Sequence, residues 1–354
     1  MSAGPTRVPI STSLPAPGER PYRVKATEPF PIAIVGVGKI ARDQHVPSIT
    51  RNPDFRLAAT VSRHGTVEGI DAFEAMDAFL DARPDVPAVA LCVPPQVRFG
   101  LALQALEAGR HVLLEKPPGA TLAEVDALER LAAARGLTLF ATWHSRFAPA
   151  VAPAKSWLKG KTVRRAEIVW REDVRRWHPG QQWIWEPGGI GVFDPGINAL
   201  SIMTEILPEP VHLVSATLDF PSNRATPIAA RLEFRDANTA TILADFDWRQ
   251  TGPQRWDVSV ITDNGTLRLS EGGAVMELDG RVTLKANAAE YDGIYARFAE
   301  LLKAAESDVD VSPLVHVADA FMLGRRTSVA PFHDIEDGQP EAVRIEHTAR
   351  KASA

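Results

Sequence analysis

The spacing of apolar residues divides this chain into two textures. From residue 32 to about 142, short apolar runs at 32–35, 57–61, 88–93, 111–114 and 137–141 alternate with segments of helical spacing. Leu101, Ala105 and Ala108 form one such segment, and Leu122, Val125, Leu128 and Leu131 another. Unbroken apolar runs suit strands buried on both faces, and alternation with helices through right-handed crossovers builds a covered parallel sheet. Past residue 145 the period changes. A helical stretch at 150–158 leads to an apolar run at 163–170, a loop rich in Trp and Gly, and a helix at 193–206. Apolar and polar positions then alternate through Ile228, Ala230, Leu232 and Phe234, through Ile242, Ala244, Phe246 and Trp248, and through Trp256, Val258 and Val260. A period of two marks half-buried strands. Asp263-Asn264-Gly265 is a hairpin signal, because Asn-Gly tolerates the positive φ of a tight turn. Helices at 291–305 and 313–329 complete the pattern.

The connections between the runs carry the candidate chemistry. Gly36-Val37-Gly38-Lys39-Ile40-Ala41 follows the first apolar run and opens a helical segment. Gly36 permits the tight turn, Gly38 lets backbone approach a pyrophosphate, and Ala41 allows close helix–strand packing, with the anion at a helix N-terminus. The second run ends in Ser62-Arg63-His64 with no acid to bond the ribose hydroxyls. Arg63 can pair with a 2′-phosphate and Ser62 can donate to it, which favours NADP with NAD tolerated. Cys92, Val93, Pro94, Pro95 and Val97 end the third run and should pass the nicotinamide ribose, Cys92 as a small packing residue and not a nucleophile.

This places the fold in the α/β plus α+β class: an N-terminal Rossmann dinucleotide-binding domain, then a domain with an open, mostly antiparallel sheet. The expected organisation is a flexible Pro-rich arm at 1–30, the Rossmann domain at 31–147, a substrate-binding and oligomerisation domain at 148–332, and a flexible tail at 333–354. An open sheet face calls for a partner, so a homodimer or homotetramer through that face is expected.

Composition narrows the class of protein. The 354 residues carry a net charge of −5, which argues against a broad basic surface for nucleic acid or anionic membrane. A single cysteine excludes an internal disulfide and fits a reducing cytoplasm. No apolar stretch reaches the roughly 18 residues of a membrane span, and residues 1–30 lack the continuous core of a secretory signal. The histidines show no metal-binding spacing, so no metal is expected.

Glu115-Lys116-Pro117 directly follows the run at 111–114. A lysine held at the carboxyl end of a buried strand stands where open α/β sheets bind ligands, and there a charge is costly unless used. Glu172, Trp177 and His178 lie in the Trp-rich loop, and His144 follows the last parallel strand as a pocket wall. Asp194 and Asn198 stand four apart on one helix face behind a glycine-rich stretch. Asp194 has a competing role as a helix cap, and the tryptophans at 177, 183 and 185 one as core anchors. Flat rings beside amide and imidazole groups suit a polyhydroxylated substrate. For removal of a hydroxyl proton opposite hydride loss to the cofactor, Lys116 is the first candidate, with His178 and Asp194 next.

The glycine turn, Glu115-Lys116-Pro117 and Gly191-x-x-Asp194-x-Gly196-x-Asn198 resemble the Gfo/Idh/MocA oxidoreductase family across roughly residues 31–330. Most of that family carries histidine where this chain has Asn198. A closer likeness, carried by residues 38–45, 115–120, 141–146 and 175–198, is to the branch of bacterial aldose 1-dehydrogenases acting on L-arabinose or D-galactose. The resemblance implies oxidation of the anomeric carbon of an aldopyranose to the lactone with NADP or NAD. By position it implies Lys116 and His178 as catalytic residues, with Glu172, Asp194 and Asn198 holding or polarising the sugar, and it sets Lys116, His144, Glu172, Trp177, His178, Asp194 and Asn198 around it. It also implies Gly36, Gly38, Lys39, Ile40, Ser62, Arg63, His64, Cys92, Val93, Pro94, Pro95, Val97, Glu115 and Lys116 along the cofactor. An inositol, dihydrodiol or anhydro sugar as substrate, or a dinucleotide sensor without catalysis, are the alternatives.

Overall fold

The computed structural model describes residues 28–287 and 289–334. Residues 1–27 of the expected arm and 335–354 of the expected tail lie outside them. Six strands, β1 (Phe30–Val35), β2 (Phe55–Val61), β3 (Asp71–Phe73), β4 (Ala88–Leu91), β5 (His111–Leu114) and β6 (Leu139–Ala141), form an all-parallel sheet of order β3-β2-β1-β4-β5-β6. The central strands are apolar on both faces because helices cover both, as the runs required. The strand order switches direction between β1 and β4, which makes the crevice at their carboxyl ends the binding position of such a sheet. β3 was not foreseen, since Asp71-Ala72-Phe73 is a short, largely exposed edge strand with little apolar signal.

The first helical segment after β1 is not regular. Residues 41–45 form a π-turn before the α-helix Val46–Arg51. Such turns insert an extra residue and re-aim side chains, often at functional sites. Here the turn carries His45, which is fully buried. Helix Leu122–Ala134 opens on a capping box between Thr121 and Glu124.

Nine further strands form the second sheet: β7 (Val163–Arg171), β8 (Val211–Pro221), β9 (Ala229–Asp236), β10 (Thr241–Asp247), β11 (Arg255–Thr262), β12 (Gly265–Ser270), β13 (Val275–Leu278), β14 (Arg281–Lys285) and β15 (Arg325–Val329). Their order is β14-β13-β12-β11-β7-β10-β9-β8-β15, antiparallel except for the β7–β10 and β8–β15 pairs. The Asn-Gly hairpin joins β11 to β12, with Thr262 opposite Gly265. In β10, Ile242, Ala244 and Phe246 are buried beneath helix Phe193–Ile206 while alternate residues face outward. That outward face is more polar than an apolar docking face: Arg235 pairs with Glu233, Arg249 with Asp247 and Arg268 with Glu277.

Three expectations require correction. The helix expected at 313–329 ends at Leu323, and Arg325–Val329 is the edge strand β15 beside β8. Residues 325–329 alternate weakly enough to continue a helical pattern, and only the open edge of β8 makes them a strand. The helix expected to close the second domain, Glu290–Ala304, instead packs on the first sheet. Its Phe298 stacks on Phe55 and Phe140, and its Tyr291 and Tyr295 reach His45. Likewise Phe30, expected in the arm, is buried as the first residue of β1.

Gly196 sets how closely helix Phe193–Ile206 lies on β10, since a Cβ there would stand 2.7 Å from the Phe246 ring. Gly196→Ala should cost a net 1–2 kcal/mol of stability, roughly, as overpacking outweighs the gain in helix propensity. A denaturant midpoint equal to or above wild type would contradict this close packing.

Candidate active site

The two sheets meet where β5 ends. Glu115 and Lys116 leave its carboxyl end, and the Lys116–Pro117 peptide is cis. Lys116 Nζ crosses to the first turn of helix Phe193–Ile206. There it lies 3.1 Å from Asp194 Oδ1 and donates to the Asp194 carbonyl at 2.9 Å. On the other carboxylate oxygen, His178 Nε2 stands 3.4 Å from Asp194 Oδ2. One buried carboxylate thus holds an ammonium and an imidazole from three separate chain segments. Burial alone would raise the Asp194 carboxyl, but Lys116 and His178 outweigh it and hold the group below its ordinary value. Asp194 makes no side-chain cap of its helix among the described contacts.

His178 is placed by the short helical turn Val174–Trp177, which Asp173 caps by accepting from Arg175 N at 2.9 Å. Its ring packs 5.3 Å from that of Trp248, and Nδ1 faces Gln181 Oε1 at 3.3 Å. Burial pushes the imidazole below its ordinary value of 6.5, Asp194 opposing. The neutral form therefore prevails at neutral pH; with Nδ1–H directed at Gln181 Oε1, Nε2 is the unprotonated nitrogen, and a proton gained there would face the Asp194 carboxylate.

Glu172 directly follows β7 and is buried. Trp248 Nε1 donates to its Oε1 at 3.2 Å and Trp256 Nε1 to its Oε2 at 2.9 Å. Burial raises the carboxyl to about 7; the two indoles pull it down, while Asp194 adds to the rise. Trp177 lies beside this group, tilted on Trp256 with Nε1 donating to Gln254 Oε1 at 3.2 Å. Asn198 is half-buried on the helix of Asp194, and its side chain has no hydrogen bond among the described residues.

Glu115 faces away from this group. Tyr291 donates to its Oε1 at 2.7 Å, His45 Nε2 lies 3.0 Å from the same oxygen, and Oε2 accepts the Lys116 N–H at 2.7 Å. Burial would raise this carboxyl, but the hydrogen bond and charge of His45 and the Tyr291 hydroxyl hold it well below the ordinary range. His144 stacks on Tyr291 and bonds Glu290 Oε2 at 2.6 Å. It joins the Glu115 network, with no described bond to Lys116, His178 or Asp194.

The cofactor-side residues fit a dinucleotide. Gly36 has φ +92°, and a Cβ on it would meet Val93 Cγ1 at 2.7 Å, whereas the space beside Gly38 is open to 4 Å. Lys39 and Ile40 begin the helical segment, with Lys39 exposed and paired to Asp43. Ser62 and exposed Arg63 and His64 follow β2, and the His64 N–H lies 3.5 Å from Ser62 Oγ. Cys92 follows β4 half-buried, Pro94 and Pro95 start helix Pro95–Glu107, and Val97 on it is exposed. Among the described residues no three His, Cys, Asp or Glu side chains gather as a metal site, and no helix is long and apolar enough to cross a membrane.

Several contributors were not singled out in the sequence. Trp248 and Trp256 read there only as inward strand positions, yet their indoles hold Glu172. Arg98, His45, Tyr291 and Tyr295 gave no signal beyond a polar residue in an otherwise apolar helix or turn. Conversely Trp185, grouped with the sugar-facing rings, is a core anchor, 2% exposed between Trp248 and Phe332.

Residues 30–142 match the model of the Gfo/Idh/MocA oxidoreductase family with NAD-binding Rossmann fold. The chain is 44% identical over 308 residues to galactose 1-dehydrogenase of Pseudomonas fluorescens, covering 87% of this chain and all of that protein. A D-galactose 1-dehydrogenase structure from Rhizobium etli superposes with a TM-score of 0.84 at 57% identity, over 88% of this chain and 100% of that one. A 3-ketoreductase from Actinomadura kijaniata in complex with NADP and TDP-benzene shares the fold, with a TM-score of 0.72 at 18% identity over 85% of this chain and 99% of its own. The chain belongs to the Gfo/Idh/MocA oxidoreductase family. Within it, the relatives of high identity are galactose 1-dehydrogenases.

The raised Glu172 carboxyl has a measurable consequence for stability. Its folded value, about 7, exceeds the ordinary 4.5, so the folded form retains a proton that the unfolded chain releases. Stability is therefore fullest below the unfolded value and falls as pH rises through the folded one. Relative to Glu172→Gln, wild type should lose up to about 3 kcal/mol between those limits and then level off. Parallel denaturation profiles for the two proteins across that window would refute a neutral buried Glu172.

Proposed function

We propose that this protein oxidises an aldopyranose, D-galactose or L-arabinose, at C1 to the aldonolactone, with NADP preferred over NAD. The observation that carries the reading is the convergence of Lys116 Nζ and His178 Nε2 on the buried Asp194 carboxylate beside the crevice of the first sheet. The galactose 1-dehydrogenase relatives support the sugar, and Arg63 after β2 supports the 2′-phosphate. The two sugars share most ring stereochemistry and differ at the exocyclic hydroxymethyl group.

In this reading the dinucleotide, when bound, accepts the hydride from C1. Lys116 donates to the C1 oxygen and holds it. His178 Nε2 takes the hydroxyl proton as the C1–O bond becomes a carbonyl, leaving the ring oxygen in the lactone. Asp194 stabilises the imidazolium that forms. Glu172, Trp177 and Asn198 hold the remaining hydroxyls and the apolar ring face, and His144 backs the wall through Tyr291. The bottom of the pH–rate profile should follow His178, with activity lost as the imidazole becomes protonated below its lowered value.

Initial rates with D-galactose, L-arabinose, D-xylose and myo-inositol, each with NADP and NAD, test the reading. Turnover of the first two sugars, faster with NADP, should fall on the order of 10²–10⁴-fold in Lys116→Ala. Equal rates in that variant, or turnover of myo-inositol alone, would refute it.

We further infer a homo-oligomer through the outer face of the nine-stranded sheet. The alternating Arg and Asp or Glu rows there can complement a second copy. Light scattering on the eluting protein should give a dimer or tetramer mass, and a monomer at micromolar concentration would dismiss it.

A further inference from the structure

Lys116 is gripped from a direction that the proposed chemistry does not use. Arg98 sits in the first turn of helix Pro95–Glu107, where a cation opposes the helix dipole, and is only 3% exposed. Its Nη1 donates to the carbonyls of Glu115 and Pro117, the two residues flanking Lys116, and its Nη2 to the carbonyl of Val93. Val93 in turn is the residue whose side chain abuts Gly36 in the dinucleotide turn. The guanidinium therefore ties the wall of the cofactor crevice to the backbone on both sides of Lys116. On the opposite side, the Glu115 carboxylate accepts the Lys116 N–H.

A buried cation in this position is a poor means of gaining stability. It is desolvated, its charge is balanced by no direct ion pair among the described residues, and its Nε has no hydrogen-bond partner there. A planar fork reaching three carbonyls from one anchor does, however, fix relative positions in a way a single ammonium cannot. We propose that Arg98 is a positioning residue: it sets the Lys116 ammonium at its working distance from the cofactor wall and from Asp194. The inference rests on the assignment of Lys116 to the reacting centre.

Arg98→Met and Arg98→Lys, alone and combined with Lys116→Ala, test it. Both single variants should fold and bind NADPH, by fluorescence, within about 3-fold of wild type, because Arg98 touches backbone and not ligand. Misplacement on the ångström scale should lower kcat on the order of 10²-fold in Arg98→Met, with the sugar KM little changed and Arg98→Lys recovering part of the loss. In the Lys116→Ala background, Arg98→Met should cost nothing further, as required of a residue acting through Lys116. Unchanged kcat in folded variants, additive losses in that background, or failure of both variants to fold would overturn the positioning role. Should wild type oxidise none of the aldoses, the sugar assignment fails separately, and a crystal structure of Arg98→Met decides this proposal. A shifted Lys116 Nζ supports it, and one still within hydrogen-bonding distance of Asp194 refutes it.

Discussion

The pairing of Lys116 with Asp194 is the constraint around which the molecule is arranged. It joins the end of β5, in the parallel sheet, to the first turn of helix Phe193–Ile206, on the second sheet. A buried ion pair seldom adds stability, because the loss of two hydration shells offsets the attraction. Its two groups nevertheless have their polar demands met, Asp194 by Lys116 and His178 and the lysine by a carboxylate and a carbonyl. Such a pair fixes one geometry and excludes others. Here that geometry lies at the mouth of the crevice where a parallel sheet receives a dinucleotide.

Around the pair, burial divides the titratable groups by role. Glu115 is surrounded by donors and remains ionised, so it can hold the Lys116 backbone at any ordinary pH. Glu172 is bound, among the described residues, by two indole N–H groups and keeps its proton to about neutrality. His178 is kept neutral by burial while Asp194 waits to stabilise the charged form. Three acids and one imidazole within one site thus differ in charge through their surroundings alone, which is how a fixed scaffold keeps acid and base functions apart.

The helix Glu290–Ala304 shows how the site draws on distant sequence. It returns from the second sheet to cover the first, and brings Tyr291 and Tyr295 to the buried His45 of the π-turn. Its apolar stripe announced a helix but not the sheet it would cover. Both sheets present an apolar face to a helix of this kind, so the local pattern does not distinguish them. The stacking of Phe298 between Phe55 and Phe140 does. The same limit explains residues 325–329, whose strand state depends on the free edge of β8.

The sequence by itself determined the parallel sheet, the hairpin at Asn264-Gly265, the glycine turn and the polar residues Lys116, Glu172, His178, Asp194 and Asn198. These follow from period, from the backbone freedom of glycine and from the cost of burying charge, all of which act over a few neighbouring residues. Only the tertiary structure decided which of them meet. It placed His178 and Lys116 on opposite oxygens of Asp194, set Trp248 and Trp256 on Glu172, sank Trp185 into the core and aimed Arg98 at the backbone around Lys116. Such contacts join residues far apart in the chain, and their energy depends on burial and distance, neither of which exists until the two sheets have packed.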